Sequence, residues 1–183
     1  MLNPSRLADT RWSGSERFII ISGRKGVAAL FDSDPGALAE AVQLEKHFPK
    51  DAIVRINIGK EEADIEDLFT QEDYLKAVNG FYSTKLRDAK NFSTITKRDI
   101  EKAKADAESP RIVKVLERIF LSHSADGWGG YDKLGVCNFL CDALTSGGLK
   151  LSLKSKGRFD DLFSKIRKAV EQAGSTKKRI RGE

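Results

Sequence analysis

Cysteine and histidine are scarce in this chain: its 183 residues include only two of each. Cys137 and Cys141 stand at helical i, i+4 spacing in an apolar stretch and read as core residues. There is no Cys-x-x-Cys pair, and His47 and His123 are each alone in their neighbourhoods, so a zinc site is not expected. No apolar run reaches the length of a membrane span, and Met1-Leu2-Asn3-Pro4-Ser5-Arg6 lacks a secretory apolar core. A cytoplasmic protein with no membrane partner is the expectation. The chain also lacks a Gly-x-x-x-x-Gly-Lys-Ser/Thr loop, so a P-loop nucleotide site is not expected in it. Gly23-Arg24-Lys25-Gly26 is too short for such a loop, lies before a strand, and reads as a turn.

The composition, 40% hydrophobic and 32% charged, is that of a globular chain of one domain or a domain with an appendage. A net charge of +5 permits a polyanionic partner without demanding one. Its distribution is more informative. Glu61, Glu62, Asp64, Glu66, Asp67, Glu72 and Asp73 crowd one segment, whereas Lys177, Lys178, Arg179 and Arg181 crowd the C-terminus. A cation-binding centre inside a phosphate-attracting surface fits these counts, and so do separate solvated faces.

The most telling segment is Phe31-Asp32-Ser33-Asp34-Pro35-Gly36-Ala37. Val27-Ala28-Ala29-Leu30-Phe31 is a short apolar run and reads as a strand covered on both faces. Asp34-Pro35 then opens a helix, because Asp favours the N-cap and Pro the first helical position. In open α/β sheets ligands gather at the carboxyl ends of strands, which is where Asp32 and Asp34 fall. Hard cations such as Mg2+ take oxygen ligands of this kind. A plain helix cap at Asp34 and a solvated strand end at Asp32 account for the same residues.

Along the chain, residues 1–16 form a loose lead-in, and Arg17 to Ser22 reads as a strand or the end of a buried helix. A helix is expected over 35–48, with Leu38, Ala41 and Val42 on one side, and a strand over 52–58. That order implies a right-handed βαβ unit and a parallel sheet. Thr70 with Asp73 resembles a capping box for a helix to about residue 81 that buries Tyr74, Leu75 and Val78. Residues 82–107 read as a charged lid or linker with one helix over 97–107. Further helices are expected over 110–122, 131–145 and 158–172. Their apolar stripes are Ile112, Val115, Leu116, Ile119 and Phe120; then Leu134, Cys137, Leu140, Cys141 and Leu144; then Phe159, Leu162, Phe163, Ile166 and Val170. Gly147-Gly148 closes the second of these helices, Trp128 and Tyr131 pack against the helices, and residues 175–183 read as a disordered basic tail.

Together, the Val27 to Ala37 segment, the helix and strand after it, Asp64-Ile65-Glu66-Asp67-Leu68-Phe69 and the Tyr74-containing helix resemble the second half of a Toprim domain. The nearest likeness is to the overcoming-lysogenisation-defect (OLD) family of ATPase-coupled nucleases, which work in phage defence. It covers about residues 17–81 and extends more weakly to Tyr131-Asp132-Lys133-Leu134-Gly135-Val136. The resemblance implies an α/β fold with a partial Toprim-like parallel sheet and flanking helices over 17–81. A C-terminal helical extension over 82–174 would pack on it.

The resemblance also implies Asp32, Asp34, Asp64 and Glu66 as ligands of Mg2+ or Mn2+, and Lys133 as the catalytic lysine facing the phosphate. The implied activity is metal-dependent DNA endonuclease cleavage. A complete Toprim domain begins with a glutamate after its first strand. No apolar strand followed by Glu-Gly precedes Asp32 here, so the expectation is a truncated or split form, with an ATPase-domain chain or a second copy as partner besides DNA. The competing expectation is a non-catalytic module that binds nucleic acid or an ATPase partner.

Overall fold

A computed structural model of the chain describes residues 18–22, 26–59, 62–86 and 93–180. The lead-in over 1–16 therefore lies outside the described residues. Among the described residues, strand β2 (Val27–Phe31) is the middle of a three-stranded sheet, between β1 (Phe18–Ser22) and β3 (Ile53–Arg55). It is buried because every residue in it is apolar: Ala28, Ala29 and Phe31 are wholly enclosed. Strand β3 (Ile53–Arg55) runs parallel to it, with Leu30 opposite Val54, and helix α1 (Pro35–Leu44) makes the crossover. Strand β1 (Phe18–Ser22) runs antiparallel, with Ile20 opposite Ala29. The sheet is thus mixed, which corrects the all-parallel expectation. Only the four residues Gly23 to Gly26 join β1 to β2. That length closes a hairpin, whereas parallel neighbours need a crossover of a dozen or more residues.

Alternate side chains of β2 serve opposite faces. Ala29 and Phe31 meet Ala37 and Ala41 of α1, while Ala28 and Leu30, with Val54 and Ile56, meet Leu162 and Ala169 of the last helix. That helix, α6 (Leu153–Ile180), is longer than expected at both ends. Ser152 Oγ accepts the Ser155 N–H (3.2 Å) and starts it. The helix runs on to Ile180, into the stretch read as a disordered tail, where Lys177, Lys178 and Arg179 are helix-favouring residues.

A larger core lies between helices α2 (Gln71–Lys85), α3 (Lys97–Lys104), α4 (Ile112–Ser122) and α5 (Lys133–Thr145). The α4 stripe is buried as expected. Ile95 and Ile100 join that core, so the described part of 82–107 is packed structure and not a lid. Other stripes were set wrongly from sequence. Leu134 is 71% exposed and Cys141 is also exposed, while Val136 and Leu140 hold the inner face of α5. Val42 and Phe163 likewise face outward. Thr70 caps α2 by accepting the Asp73 N–H (3.2 Å), but the Asp73 carboxylate closes no box. It accepts instead from Ser152 N–H (2.9 Å), Ser152 Oγ (2.6 Å) and Ser155 Oγ (2.5 Å), pinning α6 to α2. Burial pushes this carboxyl upward, but the hydrogen bonds outweigh it and hold it below the usual range.

Helices α2 and α5 interlock through two glycines. The Phe139 ring occupies the space where a Cβ on Gly80 would stand, and the Phe81 ring does the same at Gly135. This close approach sets how deep the first turn of α5 lies. Gly135→Ala should therefore overpack the contact and destabilise by about 1–3 kcal/mol. Gly157→Ala, on α6 with nothing within 4 Å of its added Cβ, should stabilise by about 0.5–1 kcal/mol. Urea denaturation of the two variants checks this; equal midpoints would remove the interlock from the packing argument.

Candidate functional site

Hydrogen bonds at the carboxyl end of β2 draw two acidic segments together. Beyond Phe31 the parallel ladder gains one more bond, from Ile56 N–H to the Phe31 carbonyl (3.0 Å). Ser33 then tethers both following segments. Its N–H donates to the Ala63 carbonyl (2.8 Å), and its hydroxyl donates to the Ile56 carbonyl. The chain after β3 is thereby held against the Asp32-Ser33-Asp34 turn. Asp64 starts a 3-10 turn over Ile65–Leu68, which carries Glu66 inward.

All five residues singled out from sequence come into one crevice. Asp34, Asp64 and Glu66 are almost fully buried, and Asp32 is half-buried. Asp34 caps α1 as the plain reading allowed: its Oδ1 accepts the Ala37 N–H (2.9 Å). Asp132 caps α5 by accepting the Gly135 N–H (2.8 Å), and it is fixed by Lys85 (2.6 Å) and by its own N–H to Tyr82 Oη (2.6 Å). The next residue, Lys133, reaches Glu66 Oε1 at 3.0 Å. Cys137 lies one turn further along α5, with its Sγ 3.8 Å from the same oxygen. Burial pushes its thiol up to about 11, so it stays protonated and is no nucleophile.

Sequence reasoning missed Arg111. Its Nη1 stands 3.1 Å from Asp34 Oδ2 and 3.8 Å from Asp64 Oδ2, while its Nε stands 3.8 Å from Glu62 Oε2. No motif marks it. What brings it in is Asp67, whose carboxylate accepts both the Asp64 N–H (3.3 Å) and the Ile112 N–H (3.3 Å) and so docks the start of α4 on the acidic turn.

Four carboxyl groups thus meet two cations, Arg111 and Lys133. The mismatch appears as retained protons. Burial raises Asp32 to about 6, opposed by Lys133 and reinforced by Glu66 and Asp34. Burial, with the Asp67 hydrogen bond and Glu66, raises Asp64 to about 8. Burial works against the Lys133 ammonium, but Glu66, Asp64 and Asp32 outweigh it and hold its pKa above that of ordinary lysine. Among the described residues, no donor reaches the buried Asp64 Oδ1 or Glu66 Oε2.

Two orphaned carboxylate oxygens and an all-oxygen donor set fit a hard divalent cation. They are not a finished coordination sphere. Among the described residues, no group of three His, Cys, Asp or Glu side chains is spaced to hold an ion. No helix among these residues is long and apolar enough to cross a membrane. Comparison with family models, curated proteins and solved structures finds no match to this chain.

The raised carboxyls fix the sign of a pH effect. A folded-state pKa above the unfolded value near 3.8 means that the fold binds extra protons. The stabilisation is complete below the unfolded value and is lost as pH rises through about 6 for Asp32 and about 8 for Asp64. In EDTA, the wild-type melting temperature should fall between about pH 4 and about pH 8, and Asp64→Asn should remove the part of that fall above about pH 6. Parallel melting curves for the two proteins would show that Asp64 carries no such proton.

Proposed function

We propose that this chain is a Toprim-type, metal-dependent phosphodiesterase that cleaves DNA. The observation that carries the reading is the charge deficit at the end of β2, where four carboxyls face two cations and two buried carboxylate oxygens have no donor among the described residues. Positive charge is in short supply there, since Glu62 also meets Arg111 and Asp67 also meets Asp64. Mg2+ or Mn2+ would supply, when bound, that charge and the acidified water that phosphodiester hydrolysis needs.

In this reading Asp32, Asp64 and Glu66 hold the cation, with Asp64 and Asp32 giving up their protons to do so. Asp34 has its oxygens engaged by the Ala37 N–H and Arg111, so it joins the set only when Arg111 withdraws. Lys133 sits on the first turn of α5 and is 49% exposed; it turns from Glu66 to oppose charge building on the scissile phosphate. A second chain, an ATPase-domain protein or another copy, is the partner that this reading invokes to complete the site.

A second reading rests on the same ion pairs. With Arg111 on Asp34 and Asp64 and Lys133 on Glu66, the cluster is partly neutralised from within, as suits a non-catalytic binding or assembly module.

Mn2+-dependent nicking of supercoiled plasmid, paired with calorimetric Mn2+ titration, separates the two. On the nuclease reading, Asp32→Ala abolishes nicking and weakens Mn2+ binding. Lys133→Ala lowers the rate by about two orders of magnitude, the scale of losing one transition-state donor, with Mn2+ binding retained. Wild-type protein that neither binds Mn2+ nor nicks would leave the binding-module reading.

A further inference from the structure

One flank of α6 carries positive charge that the acidic crevice does not use. Lys154, Arg158, Lys165 and Lys168 share a side of this helix, four, seven and three residues apart. Among the described residues none of the four has a carboxylate partner, although Asp161 lies on the same flank. Arg158 is also held rigid: its Nη1 donates to the carbonyls of Asp67 (3.1 Å) and Phe69 (3.2 Å), leaving the rest of the guanidinium to act outward.

Two concavities open along this flank and meet at Arg158. The larger, about 220 Å³, has Lys104, Lys154 and Arg158 around Phe69, Pro110 and Gln71, with Asp67 also on its wall; the Phe69 ring is braced by Tyr74 and Phe159, and the Gln71 side-chain amide nitrogen has no hydrogen-bond partner among the described residues. The smaller, about 30 Å³, sets Arg55, Asn57 and Lys165 beside Arg158. The larger one falls short of the roughly 300–1,000 Å³ of a drug-sized ligand pocket. It suits one unit of a longer ligand, with the remainder following the helix. Lys154 to Lys168 spans about 21 Å at the helical rise.

We propose that this flank of α6 is a binding track for a single nucleic-acid strand, with one nucleotide seated between Phe69 and Lys154 and the following phosphates carried by Arg158, Lys165 and Lys168. Spaced cations beside an aromatic ring are the chemistry that sequence-tolerant single-strand binding uses. An acidic polypeptide would use the charges but leave the Phe69 concavity without purpose. The track is a different surface from the carboxyl crevice and needs no metal, so it stands or falls apart from the cleavage reading.

The test is fluorescence anisotropy of a labelled single-stranded oligonucleotide with the full chain in EDTA, where cleavage cannot occur. The expected result is binding that weakens with salt and falls by about tenfold or more in Lys154→Glu/Lys165→Glu, with a salt slope shallower by about 1.4, the value for two lost phosphate contacts. Lys97→Glu/Lys102→Glu, with the same charge change on α3, should keep wild-type affinity. The proposal is overturned by absence of wild-type binding, by equal losses in the two lysine pairs, or by poly-glutamate competing as well as unlabelled strand. Loss of plasmid nicking with strand binding intact would fault only the cleavage reading.

Discussion

Holding Asp64 and Glu66 against Asp32 takes several carboxyl groups out of water, and the chain meets that cost with backbone hydrogen bonds supplied by its own turns. Ser33 is the hinge of the arrangement. Its N–H and hydroxyl, bonded to Ala63 and Ile56, do for the loop after β3 what a third parallel strand would otherwise do. Asp67 extends the same device to α4 and so delivers Arg111. Without those bonds the acidic segment would be repelled into solvent, where carboxylates of one sign separate.

Such a cluster is a poor way to stabilise a fold. A buried ion pair recovers its desolvation only with excellent geometry and full hydrogen bonding, and apolar residues of similar volume often do as well or better. Among the described residues two buried carboxylate oxygens here remain without donors, and Asp64 keeps a proton well above the usual carboxyl range. The clasp of Asp73 with Ser152 and Ser155 offers an internal contrast. It too is a buried carboxylate, but one surrounded by donors, and its acidity moves the opposite way. The same chain therefore satisfies a buried carboxylate where the role is structural and leaves the crevice unsatisfied, as expected of a site with an outside partner.

The strand end, the Asp34 cap, the α4 stripe and the Asp132-Lys133 helix start were legible because each depends on a local pattern: an apolar run, an Asp-Pro pair, a helical period. The errors fell where a distant neighbour decides. Leu134 fits an apolar period, yet α5 is turned by the Phe81 and Phe139 contacts so that Val136 and Leu140 face inward. The direction of β1 follows from a connection too short for a crossover, a constraint readable from Gly23 to Gly26 once β1 is taken as a strand. Arg111 had no local sign at all. It enters through a carboxylate more than forty residues upstream that caps its helix, a relation that no periodicity carries.

The two cations of the crevice are not equivalent. Lys133 meets Glu66 with a flexible stem and a half-exposed side chain, so parting them breaks one contact and returns an ammonium to water that solvates it well. Arg111 is 17% exposed, and its fork is shared among Asp34, Asp64, Glu62 and Ser109, so withdrawing it would unpair several groups together. Glu66 is therefore the carboxylate most easily freed, and Asp34 the least. The Gly80–Phe139 and Gly135–Phe81 contacts that set the depth of α5 therefore also set where Lys133 stands against Glu66, although none of those four residues touches the crevice carboxyls.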